Sequence, residues 1–198
     1  MTRSDYNPEM RSEVTMGPAI GLLELGSVAR GIETVDSILW EADIELLFAS
    51  SVQPGKYAML FSGSVDDLQA ALRRGAELAG NDLIDRLLIP QIHPQVENGL
   101  RRRDGQIEGT LDALGVIETT SIAAAILAAD AALKQSAVDL LELRIANGLG
   151  GRSYLSVTGE VSDVRSAVLS GSKSAETSGM LLRQVVISRP HPDLSRHL

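Results

Sequence analysis

No cysteine occurs among the 198 residues. That excludes disulfide cross-links, thiolate nucleophiles and Cys-ligated zinc or iron–sulfur centres, and it fits a reducing compartment. Positive charge is also short: 18 Lys and Arg stand against 26 Asp and Glu, a net charge of −8. An acidic chain of this kind argues against a general nucleic-acid or anionic-membrane binder. The only basic run, Arg101–Arg103, is too short for a nucleic-acid footprint and reads as a solvated stretch or surface ion pairs. Long apolar runs are missing as well. Asp130 interrupts the alanine-rich "IAAAILAADAAL", and the opening "MTRSDYNPEMRSEV" has no apolar core of a signal peptide. The expectation is a soluble protein.

Signatures of chemistry are equally scarce. Of the three histidines, His93 and His191 each precede a proline, and neither they nor His197 form the i, i+4 pair of a helical metal site. No nucleophile elbow, Walker loop or dinucleotide fingerprint is present. The "GLGG" at Gly148–Gly151 joins two strand-like runs instead of opening a helix, so it lacks the dipole of a phosphate cradle. Glu24/Glu118 and Asp36/Asp130 recur as carboxylates, but duplicated acids flanking an apolar stripe suit helix termini or subunit contacts better than catalysis.

What the chain does contain is itself, twice. "AIGLLELGSVARGIETVDSIL" aligns with "ALGVIETTSIAAAILAADAAL", placing Gly21 on Gly115, Glu24 on Glu118, Ser27 on Ser121 and Asp36 on Asp130 at one constant offset. Further on, "PGKYAMLFSGSVDD" sits over "GGRSYLSVTGEVSD", with Lys56 on Arg152, the second copy having gained two residues in the preceding loop. Two long copies argue for tandem domains and not a solenoid. At roughly 80 residues each copy has a marginal core and needs neighbouring surface.

Each copy reads as βαββαβ, an α+β, ferredoxin-like variant with helices on one face of a sheet. Strand-like runs cover Ala19–Leu25, Ile44–Ser50, Tyr57–Ser62 and Leu83–Ile89. A helix over Ser27–Ala42, capped by Ser27, is expected to bury Val28, Ile32, Val35 and Leu39, and its copy Ile122, Ile126, Ala129 and Leu133. A second helix over Val65–Ala79 buries Val65, Leu68, Leu72 and Ala76. The expected layout is a tail over 1–18, a first domain over 19–96, a Gly- and charge-rich linker over 97–112 and a second domain over 113–198.

The stretch "ALGVIETTSIAAAILAADAALKQSAVDLL", the Gly-rich loop after it, "TGEVSDVRSAV" and the closing "ISRPH" resemble the bacterial microcompartment shell domain. The first copy resembles it too, through "PGKYAMLFSGSVDDLQAAL" and "LIPQIHPQV". Two unpermuted copies correspond to the tandem, trimeric class of that family. The resemblance implies a structural, non-enzymatic homotrimer whose six domains mimic a hexamer. Such a tile joins hexameric tiles and pentameric vertices in a microcompartment shell of the bacterial cytoplasm, around encapsulated enzymes. It further implies a central pore for small polar metabolites, lined by Ser51, Val52, Gln53, Pro54 and Gly55 and by Asn147, Gly148, Leu149 and Gly150. Lys134 falls on the family's edge lysine, and Arg189 and His191 on its "RPH" edge motif. The first copy holds Trp40 and, in "PQIH", His93 at those positions, so the two edges are chemically unequal. In the propanediol-utilisation branch of the class a loop cysteine ligates an iron–sulfur cluster on the three-fold axis. Here that position is Gln53, a poor cluster ligand, so no cofactor or metal is expected.

Two other readings stay open from the residues alone. One is a ligand-binding or signalling protein whose Gly loops hold an anion at a subunit interface. The other, an enzyme with a cleft between copies, is disfavoured because no positioned nucleophile or acid–base pair can be named.

Overall fold

The computed structural model describes residues 19–100, 111–145 and 148–195. The first repeat runs β1 (Ile20–Leu25), α1 (Val28–Glu41), β2 (Ile44–Val52), β3 (Lys56–Gly63), α2 (Val65–Ala79) and β4 (Leu83–Ile89). After α3 (Pro94–Leu100), the second runs β5 (Ala113–Thr119), α4 (Ile122–Gln135), β6 (Asp139–Ile145), β7 (Ser153–Gly159), α5 (Val161–Thr177) and β8 (Leu181–Ser188), closed by α6 (Pro192–Ser195). The strand orders are β2-β3-β1-β4 and β6-β7-β5-β8, every pairing antiparallel. This is the expected α+β arrangement, written twice.

The registers explain why the strands read as continuous apolar runs. Leu23 faces Met59 and Leu25 faces Tyr57 across the β1–β3 pair, on the side where α1 and α2 contribute Ile38, Leu68 and Leu72. Ile20, Leu22 and Leu60, of opposite parity, are buried too, so both faces of the central strands are withheld from water. Ser27 and Ser121 cap α1 and α4 by accepting the N–H of Arg30 and of Ala124.

The inward side of α1 differs from the periodicity reading. Val28 and Val35 pack on the core, but Ile32 and Leu39 are 57% and 44% exposed, and Gly31, Thr34 and Ile38 take the buried positions. The reason is Tyr57: a Cβ on Gly31 would sit 2.4 Å from its ring, so the helix turns its glycine toward the aromatic and its larger residues outward. In α4, by contrast, Ile122, Ile126, Ala129 and Leu133 are all buried, as expected, along with most of the alanines between them.

A second difference concerns the connection. Residues 97–100, expected within a linker, belong to α3, where Val96, Gly99 and Leu100 are buried. By its contacts the chain divides into two compact units, and it passes from the first to the second between Ile92 and His93. The remainder of the expected linker, residues 101–110, lies outside the described residues, as does the expected tail.

Candidate functional site

Within the first unit, Ser51, Gln53, Pro54 and Gly55 stand exposed at the turn between β2 and β3, whose Gln53–Pro54 peptide is cis. Gly55 has φ 107° and donates its N–H to the Val52 carbonyl at 3.0 Å, a tight return that a Cβ would strain. Val52, placed among the lining residues by sequence, is buried, so it contributes backbone and not a side chain to this rim. Of the second loop, Gly148 and Gly150 are exposed and Leu149 is half-buried; Asn147 lies outside the described residues.

The structure brings these two loops together, since Gly148–Gly151 group with the first unit. Gly151, at φ 84°, comes so close to Pro54 that a Cβ there would lie 2.8 Å from the proline ring. Lys56 fixes the approach. Its Nζ donates to the Gly151 carbonyl at 3.1 Å and to Glu24 Oε1 at 2.8 Å, with Glu24 fully buried. A paired and hydrogen-bonded carboxylate is the form in which a buried charge is tolerated. This clamp was missed as a functional feature, although the recurrence of Glu24/Lys56 as Glu118/Arg152 was its signal. The second pair is looser, at 3.4 Å, and exposed. Beneath the loop, burial pushes the Tyr57 phenol above its ordinary pKa.

The expected edge residues fall into three groups. In the second unit His93 and Lys134 meet on one acid: the His93 backbone N–H donates to Asp130 Oδ1 at 2.8 Å, and Lys134 Nζ donates to Oδ2 at 2.5 Å. Arg189 and His191 are exposed and line a shallow hollow with Leu111, Asp112 and Pro192. Arg189 holds a positive φ of 52° while its N–H donates to the Asp112 carbonyl at 2.7 Å. In the first unit Trp40 stands alone, 85% exposed, at the end of α1. Among the described residues no group of three or more His, Asp or Glu could hold a metal ion.

Equivalent elements are unequally covered. The α1 face carrying Ile32 and Leu39 is open, while its copy in α4 is closed. The sheet edges show the reverse. Leu87 on β4 is 3% exposed, whereas Val185 at the matching position of β8 is 43% exposed and Leu182 is exposed beside it. Among the described residues, a helix face in the first unit and a strand in the second, with Leu169 on α5 besides, thus stay open. Apolar exposure of this order marks a contact surface.

Comparison with known proteins agrees with the two-unit architecture. The BMC domain model matches residues 19–92 and again 113–190. The bacterial microcompartment shell protein PduT of Citrobacter freundii is 41% identical over 186 residues, spanning 92% of this chain and 98% of that protein. The carboxysome assembly protein CcmO of a Synechocystis species is 40% identical over 192 residues, 91% of this chain and 64% of that one. Among solved structures, a microcompartment protein from Desulfitobacterium hafniense superposes with a TM-score of 0.74 at 43% identity, over 90% of this chain and 98% of that one. With both repeats matched and a shell protein aligned along nearly its full length, the chain belongs to the BMC-domain family of bacterial microcompartment shell proteins.

Proposed function

We propose that this chain is a facet tile of a microcompartment shell, built as a homotrimer in which six BMC domains close a pseudohexagonal ring. The observation that carries the reading is the unequal coverage of equivalent elements: α1 and β8 are open where α4 and β4 are closed. Two different surfaces left over on one chain make a heterologous contact, which closes into a ring when its rotation divides the circle. Two domains per chain and six positions in a ring give three copies.

In such a ring the rim of Ser51, Gln53, Pro54 and Gly55, with Gly148 and Gly150 beside it, faces the central opening. Amide and hydroxyl groups there offer donors and acceptors without net charge, which suits small polar metabolites. The outer edge alternates Trp40 with the Lys134, Arg189 and His191 surface, so neighbouring tiles meet two kinds of edge. Other shell proteins are the partners on that edge.

Electron microscopy of assembled sheets tests the edge assignment. Lys134→Ala removes the half-exposed lysine of an i, i+4 pair whose partner Asp130 is buried but keeps the His93 N–H, at a cost of about 1–2 kcal/mol to the fold. The variant is expected to stay trimeric and to form fewer and smaller sheets. Sheets as extensive as those of the unaltered chain would contradict a tile contact at Lys134.

A further inference from the structure

The segment that follows each repeat is itself repeated. "HPQVENGL", His93–Leu100, aligns with "HPDLSRHL", His191–Leu198, preserving His-Pro, an apolar residue at the fourth place and Leu at the eighth. Residues 196–198 lie outside the described residues, and the structure shows the second segment over 191–195. The two segments share their internal hydrogen bonds. The Gln95 N–H donates to His93 Nδ1 at 3.3 Å and the Asp193 N–H to His191 Nδ1 at 3.2 Å. Val96 N–H donates to the His93 carbonyl and Leu194 N–H to the His191 carbonyl, each at 2.9 Å.

Only the first segment has a seat. The His93 N–H reaches Asp130 on α4 at 2.8 Å. The Gln95 side chain accepts the Leu140 N–H at 2.7 Å and donates to Asp139 at 3.2 Å, both on β6. Gly99 lies against Leu140 and Leu143, and Val96 is fully buried. The second segment has the same shape, but its Leu194 is exposed where Val96 is buried. An empty copy of the seat also exists. Asp36 on α1 corresponds to Asp130 and is exposed; Glu45, Leu46 and Ala49 on β2 correspond to Asp139, Leu140 and Leu143 and are exposed or half-buried.

We propose that the His191–Leu194 arm of one copy of this chain docks on α1 and β2 of a second copy, its His191 N–H donating to the Asp36 carboxylate. The proposal rests on the ring reading and names the segment and acceptor that join its members. It also accounts for the duplication of Asp36 and Asp130: each acid receives the arm that follows the preceding repeat. The outer seat differs from the inner one in its chemistry: Trp40 stands where Lys134 pairs with Asp130, and Ala49 where Leu143 stands. Asp193 stands where Gln95 stands, opposite Glu45, so the strand clamp is lost and two carboxylates face each other.

The absence of cysteine makes a clean test. The double variant Asp36→Cys, His191→Cys places two thiols on exposed backbone, and a short bis-maleimide is applied to the dilute protein. Denaturing gels are expected to show covalent dimers and trimers, with neither single variant passing beyond a dimer. If light scattering gives a trimer but the double variant stays at monomer mass on the gel, the arm does not dock on Asp36, and the ring reading stands. If light scattering gives a monomer, the ring reading fails and the arm has no second copy to bind.

Discussion

Glu24 and Glu118 occupy the same place in the two repeats and each faces a cation, but water treats them differently. Glu24 is fully buried and held by Lys56, whereas the Glu118–Arg152 pair is open to solvent. Removing the partner of a buried charge strands that charge, at a cost of about 3 kcal/mol or more. Removing the partner of an exposed one costs under about 1 kcal/mol. In urea unfolding at fixed protein concentration, Lys56→Met is therefore expected to shift the midpoint strongly downward, and Arg152→Ala hardly at all. Equal shifts would contradict the burial of Glu24. The same lysine holds the Gly151 carbonyl, so its loss also frees the second Gly-rich loop from Pro54. The residue pairs were legible in the sequence as an acid and a base recurring together. Their unequal burial was not, because it depends on which loop comes to rest on which pair.

At the level of the element, α1 and α4 carry one periodicity to two outcomes. Apolar residues at Val28, Ile32, Val35 and Leu39 read as one inward stripe, and the corresponding stripe is inward in α4. In α1 the ring of Tyr57 claims the side bearing Gly31, and the helix turns Ile32 and Leu39 out. Periodicity locates an apolar face, but it cannot say whether the chain's own core or another molecule covers it. The glycine two turns before Ile38 was the available signal, since a helix interior glycine costs up to about 1 kcal/mol and marks a close approach. The short α3 was missed for a related reason: "PQVENGL" has too few apolar residues to show a helical period, and its helix is held by Asp130 and β6 from outside. If the open face of α1 meets another copy, Leu39→Arg should leave thermal unfolding of the domain within about 0.5 kcal/mol. A charge set into an apolar contact should weaken association by about 2 kcal/mol, some thirtyfold, read by sedimentation across a dilution series. Undiminished association would place the contact elsewhere.

For the whole molecule, the duplicated βαββαβ order was legible because the repeat is long and the strands and capped helices keep their places within it. The two sheets of equal strand order follow that reading, as does membership of the BMC-domain family. Closure is a different kind of property. It lies in surfaces that one chain cannot satisfy: the open α1, the open β8 and an arm after β8 shaped like one that is already seated. In the proposed ring these surfaces meet between copies, and a solitary chain leaves them in water. The most direct measurement is the mass of the purified chain in solution by multi-angle light scattering. The account predicts three times the 21.1 kDa chain, held across dilution into the low-micromolar range; a single-chain mass there would contradict it.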